Sequence, residues 1–122
     1  MSSELTIQQV AEKTGLSPHT LRYYERVGLI PAIGRAPSGH RRYSRDDLDR
    51  IEFVARLRST GMSIADVQRY MNSPLDGSEG VSERLGIMEA HRDRLKARIA
   101  ELDRFLTRIE GKVARCRERL TR

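Results

Sequence analysis

Two short stretches of the chain concentrate side chains able to grip a polyanion. Ser17, His19, Thr20, Arg22, Tyr23 and Arg26 fall within one of them, and Arg35, His40, Arg41, Arg42 and Tyr43 within the other. A guanidinium presents a planar fork of donors that matches a phosphate. Hydroxyl and imidazole groups can read base edges in a major groove, where each base pair shows a distinct donor and acceptor pattern. Binding, not bond-breaking, is the chemistry these residues suggest. The sequence shows no Ser-His-Asp set, no glycine-rich phosphate loop and no convergent carboxylate cluster, so no enzyme is expected. His19, His40 and His91 lack partners at helical spacing, and Cys116 is the single cysteine, so neither a metal nor another cofactor is expected. Cys116 falls on an apolar register, where a lone cysteine behaves as a small hydrophobe. Its neighbours Arg115 and Arg117 would favour a thiolate, which leaves a sensor role open.

The elements that must position these residues are legible from their punctuation. Thr6 followed by Gln9 is a capping-box start, and Ile7, Val10 and Ala11 form an apolar face, predicting a helix from about residue 6 to 14. Gly15 stops it. Ser17-Pro18 starts a second helix, serine as the cap and proline where no N–H is needed, and Gly28 ends it. Small Ala11, Gly15 in the turn and apolar Leu21 allow the two helices to cross closely, as in a helix-turn-helix, although many plain helical hairpins share that spacing. Arg22 and Tyr23 then face outward to hold phosphates. Tyr24, turned about 100° from Tyr23, belongs to the core. Pro31, Ile33 and the turn Ala36-Pro37-Ser38-Gly39 leading to His40-Arg41-Arg42-Tyr43 predict a small β-wing. Ser44 with Asp47 and Ser63 with Asp66 repeat the S-x-x-D box, starting a third helix that runs to about Thr60 and a fourth from about Ile64 to Met71. Residues 72–77 read as a loop.

Beyond that loop the rhythm becomes steady. Leu85, Met88, Leu95, Ile99, Leu102, Leu106, Ile109, Val113, Cys116 and Leu120 alternate steps of three and four, with Arg92 at the one missing place. About 40 helical residues span roughly 60 Å, more than the N-terminal body can cover, so the seam formed by Met88, Leu95, Ile99, Leu102, Leu106, Ile109 and Val113 calls for dimerisation with a second chain. Arg92 either fixes the register of that pairing or marks where the seam leaves its partner. Gly111 weakens the helix interior and marks a bend or an early end. The expected organisation is mainly α: a winged helix-turn-helix DNA-binding domain over residues 1–75 and a coiled-coil dimerisation helix over residues 76–122.

Composition agrees with this division of labour. The 122 residues suit one ordinary domain, or a small one with a long element, and exclude a separate cofactor module. Lys+Arg 23 against Asp+Glu 17 gives a net charge of +6, which favours double-stranded nucleic acid as partner. Apolar residues make up 38% and charged residues 33%, a lean core for a monomer but normal for helices that share a seam. No run approaches a membrane helix, and residues 1–4 show no secretory pattern, so no membrane partner and a cytoplasmic location are expected.

The motifs Leu5-Thr6-Ile7, Val10-Ala11, Thr14-Gly15-Leu16-Ser17, Thr20-Leu21-Arg22-Tyr23-Tyr24-Glu25, Gly28-Leu29-Ile30 and Arg41-Arg42-Tyr43-Ser44 make the chain resemble the MerR family of bacterial transcription regulators. The likeness is dense over the first 70 or so residues and continues through the segment from Arg58 to Ile64. It implies a homodimer joined by an antiparallel coil, with a winged helix at each end on a promoter inverted repeat. It also implies a mechanism, in which the dimer bends and untwists DNA so that RNA polymerase meets both promoter elements. By position, the resemblance assigns DNA contacts to Ser17, Thr20, Arg22, Tyr23, Arg41 and Tyr43, and phosphate contacts to Arg58 and Ser63.

The effector is less determined. Metal-sensing relatives place several cysteines at the end of the long helix, oxidative-stress relatives carry four, and drug-binding relatives append a further domain; none of these patterns fits this sequence. Short aldehyde-stress regulators come nearest, yet they are associated with a cysteine in the third helix where this chain has Ala55. The leading expectation is a regulator answering an unidentified small molecule or stress near residues 72 to 82. The alternatives are an excisionase-like architectural DNA-bending protein, against which the long coil weighs, and a coiled-coil adaptor, which leaves the arginine and tyrosine motifs unused.

Overall fold

The computed structural model describes residues 4–73 and 77–122, and within them five helices: α1 (Ile7–Thr14), α2 (Pro18–Arg26), α3 (Arg45–Ser59), α4 (Ile64–Asn72) and α5 (Ser78–Thr121). Residues 74–76 of the expected loop lie outside the described residues. Local hydrogen bonds explain where the helices begin. Thr6 Oγ1 accepts from Gln9 N–H at 3.2 Å while Gln9 Oε1 accepts from Thr6 N–H at 2.8 Å, satisfying two donors that a helix start leaves bare. Ser44 and Asp47 repeat that exchange at 3.1 and 2.9 Å. Ser17 caps α2, with Pro18 in its first turn, and Ser63 caps α4. Gly15 closes α1 at φ +75°, a left-handed conformation that side-chain-bearing residues seldom adopt, and its N–H donates to Ala11 O.

Packing divides the chain into two compact units, residues 1–84 and 85–122. In the first, α1 packs on α2 and on α3, and α3 packs on α4. Val10, Leu21, Leu29, Ile51, Val54 and Val67 are fully buried at its centre, and Tyr24 joins them. The unit therefore extends past residue 75, where the sequence placed its end. Ser73 provides the reason: its hydroxyl donates to Gly80 O at 3.3 Å and meets Glu83 Oε2 at 3.4 Å, binding the first turns of α5 to the N-terminal body.

The wing is slighter than a strand pair. Leu5 and Tyr43 form one antiparallel bridge and Arg35 and Arg41 another, without longer strands among the described residues. A tight turn holds the tip: Gly39 N–H donates to Ala36 O, Ala36 N–H donates to His40 O, and Gly39 takes φ +87°.

The second unit is the remainder of α5. The helix passes through Gly111 without the early end that was one of the two outcomes expected there, and runs to Thr121. Ile99, Leu102, Leu106, Ile109 and Val113 are exposed along it, Ile109 by 59%. Arg92 pairs with its neighbour Asp93 at 3.0 Å. Among the described residues, no helix is long and apolar enough to cross a membrane.

Candidate nucleic-acid interface

The candidate surface is built from α2 and the wing. The start of α2 is ordered by Ser17, whose Oγ accepts from Thr20 N–H at 3.1 Å and donates to Thr20 Oγ1 at 3.0 Å. This fixes both hydroxyls in one orientation at the helix tip. His19, Arg22 and Arg26 follow on the outer face and are exposed. Tyr23 is half-buried, with the Arg26 guanidinium 5.4 Å from its ring centre, so the ring steadies that cation.

The wing is fastened to α2 by Glu25. Its Oε1 accepts from Arg41 Nε at 2.8 Å, and its Oε2 accepts from Ile33 N–H at 3.0 Å. Burial raises the Glu25 pKa, but the Ile33 hydrogen bond and the Arg41 guanidinium outweigh it and hold the carboxyl below the usual carboxylate range. The tether brings Arg41 beside α2, where His19, Arg22, Arg26 and Arg41 border one concavity of about 430 Å³. On the other side Arg22, Arg35, His40, Arg41 and Arg42 line a second, of about 560 Å³, together with Thr6 and Gln8. Arg22 and Arg41 thus form a ridge shared by two hollows. Such a surface offers planar donors that suit phosphates, on the same helix that carries the Ser17 and Thr20 hydroxyls at its start.

Three residues depart from expectation. Tyr43 is not on the outer face: it is 0% exposed, bridged through its backbone to Leu5, and burial pushes its phenol pKa up. Its ring is core, so the DNA contact assigned to it is corrected. Its hydroxyl has no hydrogen-bond partner among the described residues. Arg58 donates to Met62 O at 2.6 Å and is half-buried, which commits part of its guanidinium to the α3–α4 turn. Ser63, the α4 cap, is exposed, and neither it nor Arg58 lines the two hollows. Thr6, Gln8 and Glu25 were missed by sequence reasoning. Thr6 had already been accounted for as a cap, and nothing local marks Gln8. Glu25 did carry a signal, as an acidic residue between Arg22 and Arg26 on an otherwise basic face.

Residues 5–74 match the model of the MerR HTH family regulatory protein, and residues 48–112 that of the MerR DNA-binding region. An HTH-type transcriptional regulator of Haemophilus influenzae is 38% identical over 109 residues, covering 89% of this chain and 81% of its own. The regulator AdhR of Bacillus subtilis is 43% identical over 91 residues, covering 75% of this chain and 65% of that protein. Among solved structures, HiNmlR, a MerR family regulator lacking the sensor domain and bound to promoter DNA, superposes with a TM-score of 0.81 at 38% identity, over 91% of this chain and 88% of that one.

Proposed function

The chain belongs to the MerR family of DNA-binding transcriptional regulators, and on that premise we propose that it acts in the cytoplasm as a homodimer that bends and untwists promoter DNA. Two copies pair along α5 as an antiparallel coil through Met88, Leu95, Ile99, Leu102, Leu106, Ile109 and Val113. Each copy lays the tip of α2 into a major groove of an inverted repeat, where Ser17, His19 and Thr20 face base edges. Arg22, Tyr23, Arg26, Arg35, His40, Arg41 and Arg42 hold the phosphates on either side, and Arg58 and Ser63 add flanking phosphate contacts. Deformation between the half-sites brings both promoter elements into reach of RNA polymerase, and a small-molecule or stress signal sets how far it proceeds.

The observation that carries this reading is an apolar seam exposed on α5 in a chain whose α2 and wing present a basic ridge. Exposed Ile99, Leu102, Leu106 and Ile109 recur at coiled-coil spacing, and an isolated helix of that length has no other way to shield them. That HiNmlR, 38% identical to this chain, is bound to promoter DNA supports promoter binding by this chain. The test is footprinting of the purified protein on DNA upstream of its own gene, with its mass measured by sedimentation. A dimer that protects an inverted repeat and leaves its central base pairs hyperreactive is expected. A monomer at micromolar concentration, or protection of several direct repeats without central distortion, would overturn the reading.

A further inference from the structure

The C-terminal part of α5 carries a row of cations that neither the seam nor the α2–wing ridge uses. With Ile99, Leu106 and Val113 at heptad position a and Leu102, Ile109 and Cys116 at d, positions g and c along one flank hold Phe105, Arg108, Lys112, Arg115, Arg119 and Arg122. Their steps alternate between three and four, which keeps all six on one face. The five cations are exposed, and among the described residues none of them forms an ion pair. The Arg108 guanidinium lies 5.9 Å from the centre of the exposed Phe105 ring, which steadies the head of the row. The other flank of the seam differs, with Asp103 and Glu110 at its e positions. Over residues 105–122 six cations stand against Glu110 and Glu118, a net of +4 in a chain whose total is +6.

Such a row works against the helix that bears it. Like charges three and four residues apart repel, and four such pairs follow one another from Arg108 to Arg122. The helix dipole favours cations only in the last turn, which holds Arg119 but not Arg108, Lys112 or Arg115. A second copy brings no relief. In the antiparallel pairing proposed above g faces g, and every g position from Arg84 to Arg119 is a cation, His91 or Phe105.

The charge that would relieve the row is a regular polyanion. From Arg108 to Arg122 the row runs about 21 Å, a length over which one strand of a duplex presents roughly six phosphates. Four of the five heads are guanidinium groups, whose planar fork suits phosphate oxygens. In a chain that belongs to a DNA-binding family, duplex DNA is the polyanion at hand. We propose that this flank of α5 is a second DNA-binding surface, which grips the phosphate backbone of a duplex without reading its bases. It supplies affinity that is independent of sequence and falls steeply with salt. This surface goes beyond the promoter reading proposed above and takes from it only the antiparallel pairing.

The experiment follows anisotropy of a labelled duplex of about 30 base pairs, unrelated to the fragment upstream of the gene, with the full chain at several salt concentrations. Lys112→Gln, Arg115→Gln and Arg119→Gln together should lower affinity at least tenfold near about 50 mM salt and reduce the slope of log affinity against log salt by about 3 for each row engaged. Lys112→Arg, Arg115→Lys and Arg119→Lys, which keep the charge, should leave both as in wild type. Arg22→Ala with Arg41→Ala should leave a residual binding that the three Gln substitutions then remove. Unchanged affinity and slope in the Gln variant would overturn the proposal. So would complete loss of binding in Arg22→Ala with Arg41→Ala, or a Gln variant that sediments as a monomer, which would assign the row to pairing between copies. A Gln variant that binds DNA as wild type does but loses binding to vesicles of phosphatidylserine and phosphatidylcholine would overturn it in favour of an anionic membrane. Wild-type binding to the upstream fragment but not to the unrelated duplex would remove only this surface, whereas failure on both would count against the regulator itself.

Discussion

Glu25→Gln tests whether the wing is held by charge or merely by packing. The wild-type carboxylate serves two donors at once, Arg41 Nε at 2.8 Å and Ile33 N–H at 3.0 Å, from a pocket in which its side chain is 17% exposed and that of Arg41 22%. A neutral amide keeps one good acceptor and turns an NH₂ toward one of two donors. Losing a hydrogen bond to a charged group at such burial costs about 1.5–3 kcal/mol, more than an exposed ion pair would. For a chain of this length that is a fall of roughly 5–15 °C in midpoint, read at fixed protein concentration because association also shifts it. The pH dependence supplies the sign. The folded-state pKa of Glu25 lies below its ordinary 4.5, so the carboxylate contributes stability that is fully present above that value and lost as pH falls through the folded one. Wild type and Glu25→Gln should therefore differ by a constant amount well above pH 4.5 and converge only as the pH falls below that value and through the lower folded-state one. Thermal unfolding followed by circular dichroism across this range is the assay. Equal stability at pH 7, or a gap that widens on acidification, would refute the assignment of Glu25 as the tether.

Four further outcomes follow from the same geometry. Arg22→Ala with Arg41→Ala should weaken binding to all DNA sequences and reduce the slope of log affinity against log salt by about 2, whereas Thr20→Ala should alter base preference; anisotropy titrations at several salt concentrations separate the two. Tyr43→Phe should leave DNA affinity unchanged and stability equal or higher by about 1 kcal/mol, since it removes a buried hydroxyl with no partner among the described residues, and a lowered DNA affinity would restore Tyr43 to the interface. In the proposed homodimer Leu102→Glu with Ile109→Glu should shift sedimentation from dimer to monomer, because four carboxylates would have to be buried along the seam. Gly15→Ala should destabilise by about 1 kcal/mol or more, although open space surrounds the position, because alanine disfavours φ +75°; denaturant unfolding measures it.

What could be read from the sequence follows the range of each interaction. The helix starts at Thr6, Ser17, Ser44 and Ser63 are bonds between residues three apart, so their signature lies in a window of four. The division of labour between Tyr23 and Tyr24 follows from helical periodicity alone. Tyr43 could not be placed that way. Its burial depends on a bridge to Leu5, far away along the chain, and in a hairpin reduced to single bridges no alternation marks which side chains turn inward. Glu25 and Arg41 are separated by sixteen positions, so their pairing requires the turn between them to be known. That the first contact unit runs on to residue 84 was hidden for a related reason, since proline and glycine mark where a helix cannot continue, whereas the Ser73 bonds to Gly80 and Glu83 join elements across that break.

The recognition helix is secured at three points by three different chemistries. Its start is held by the Ser17 hydroxyl, its last turn by the Glu25 carboxylate to the wing, and its final carbonyl, at Val27, by the Gln68 amide of α4. The first is local and moves with the helix. The other two join α2 to elements distant in sequence, so α2 cannot tilt without moving the wing or α4 or breaking one of these bonds. With α2 and the wing joined through Glu25, the spacing between the helix tip and the Arg22–Arg41 ridge is set within one body, which is what the proposed reading of bases together with clamping of phosphates requires.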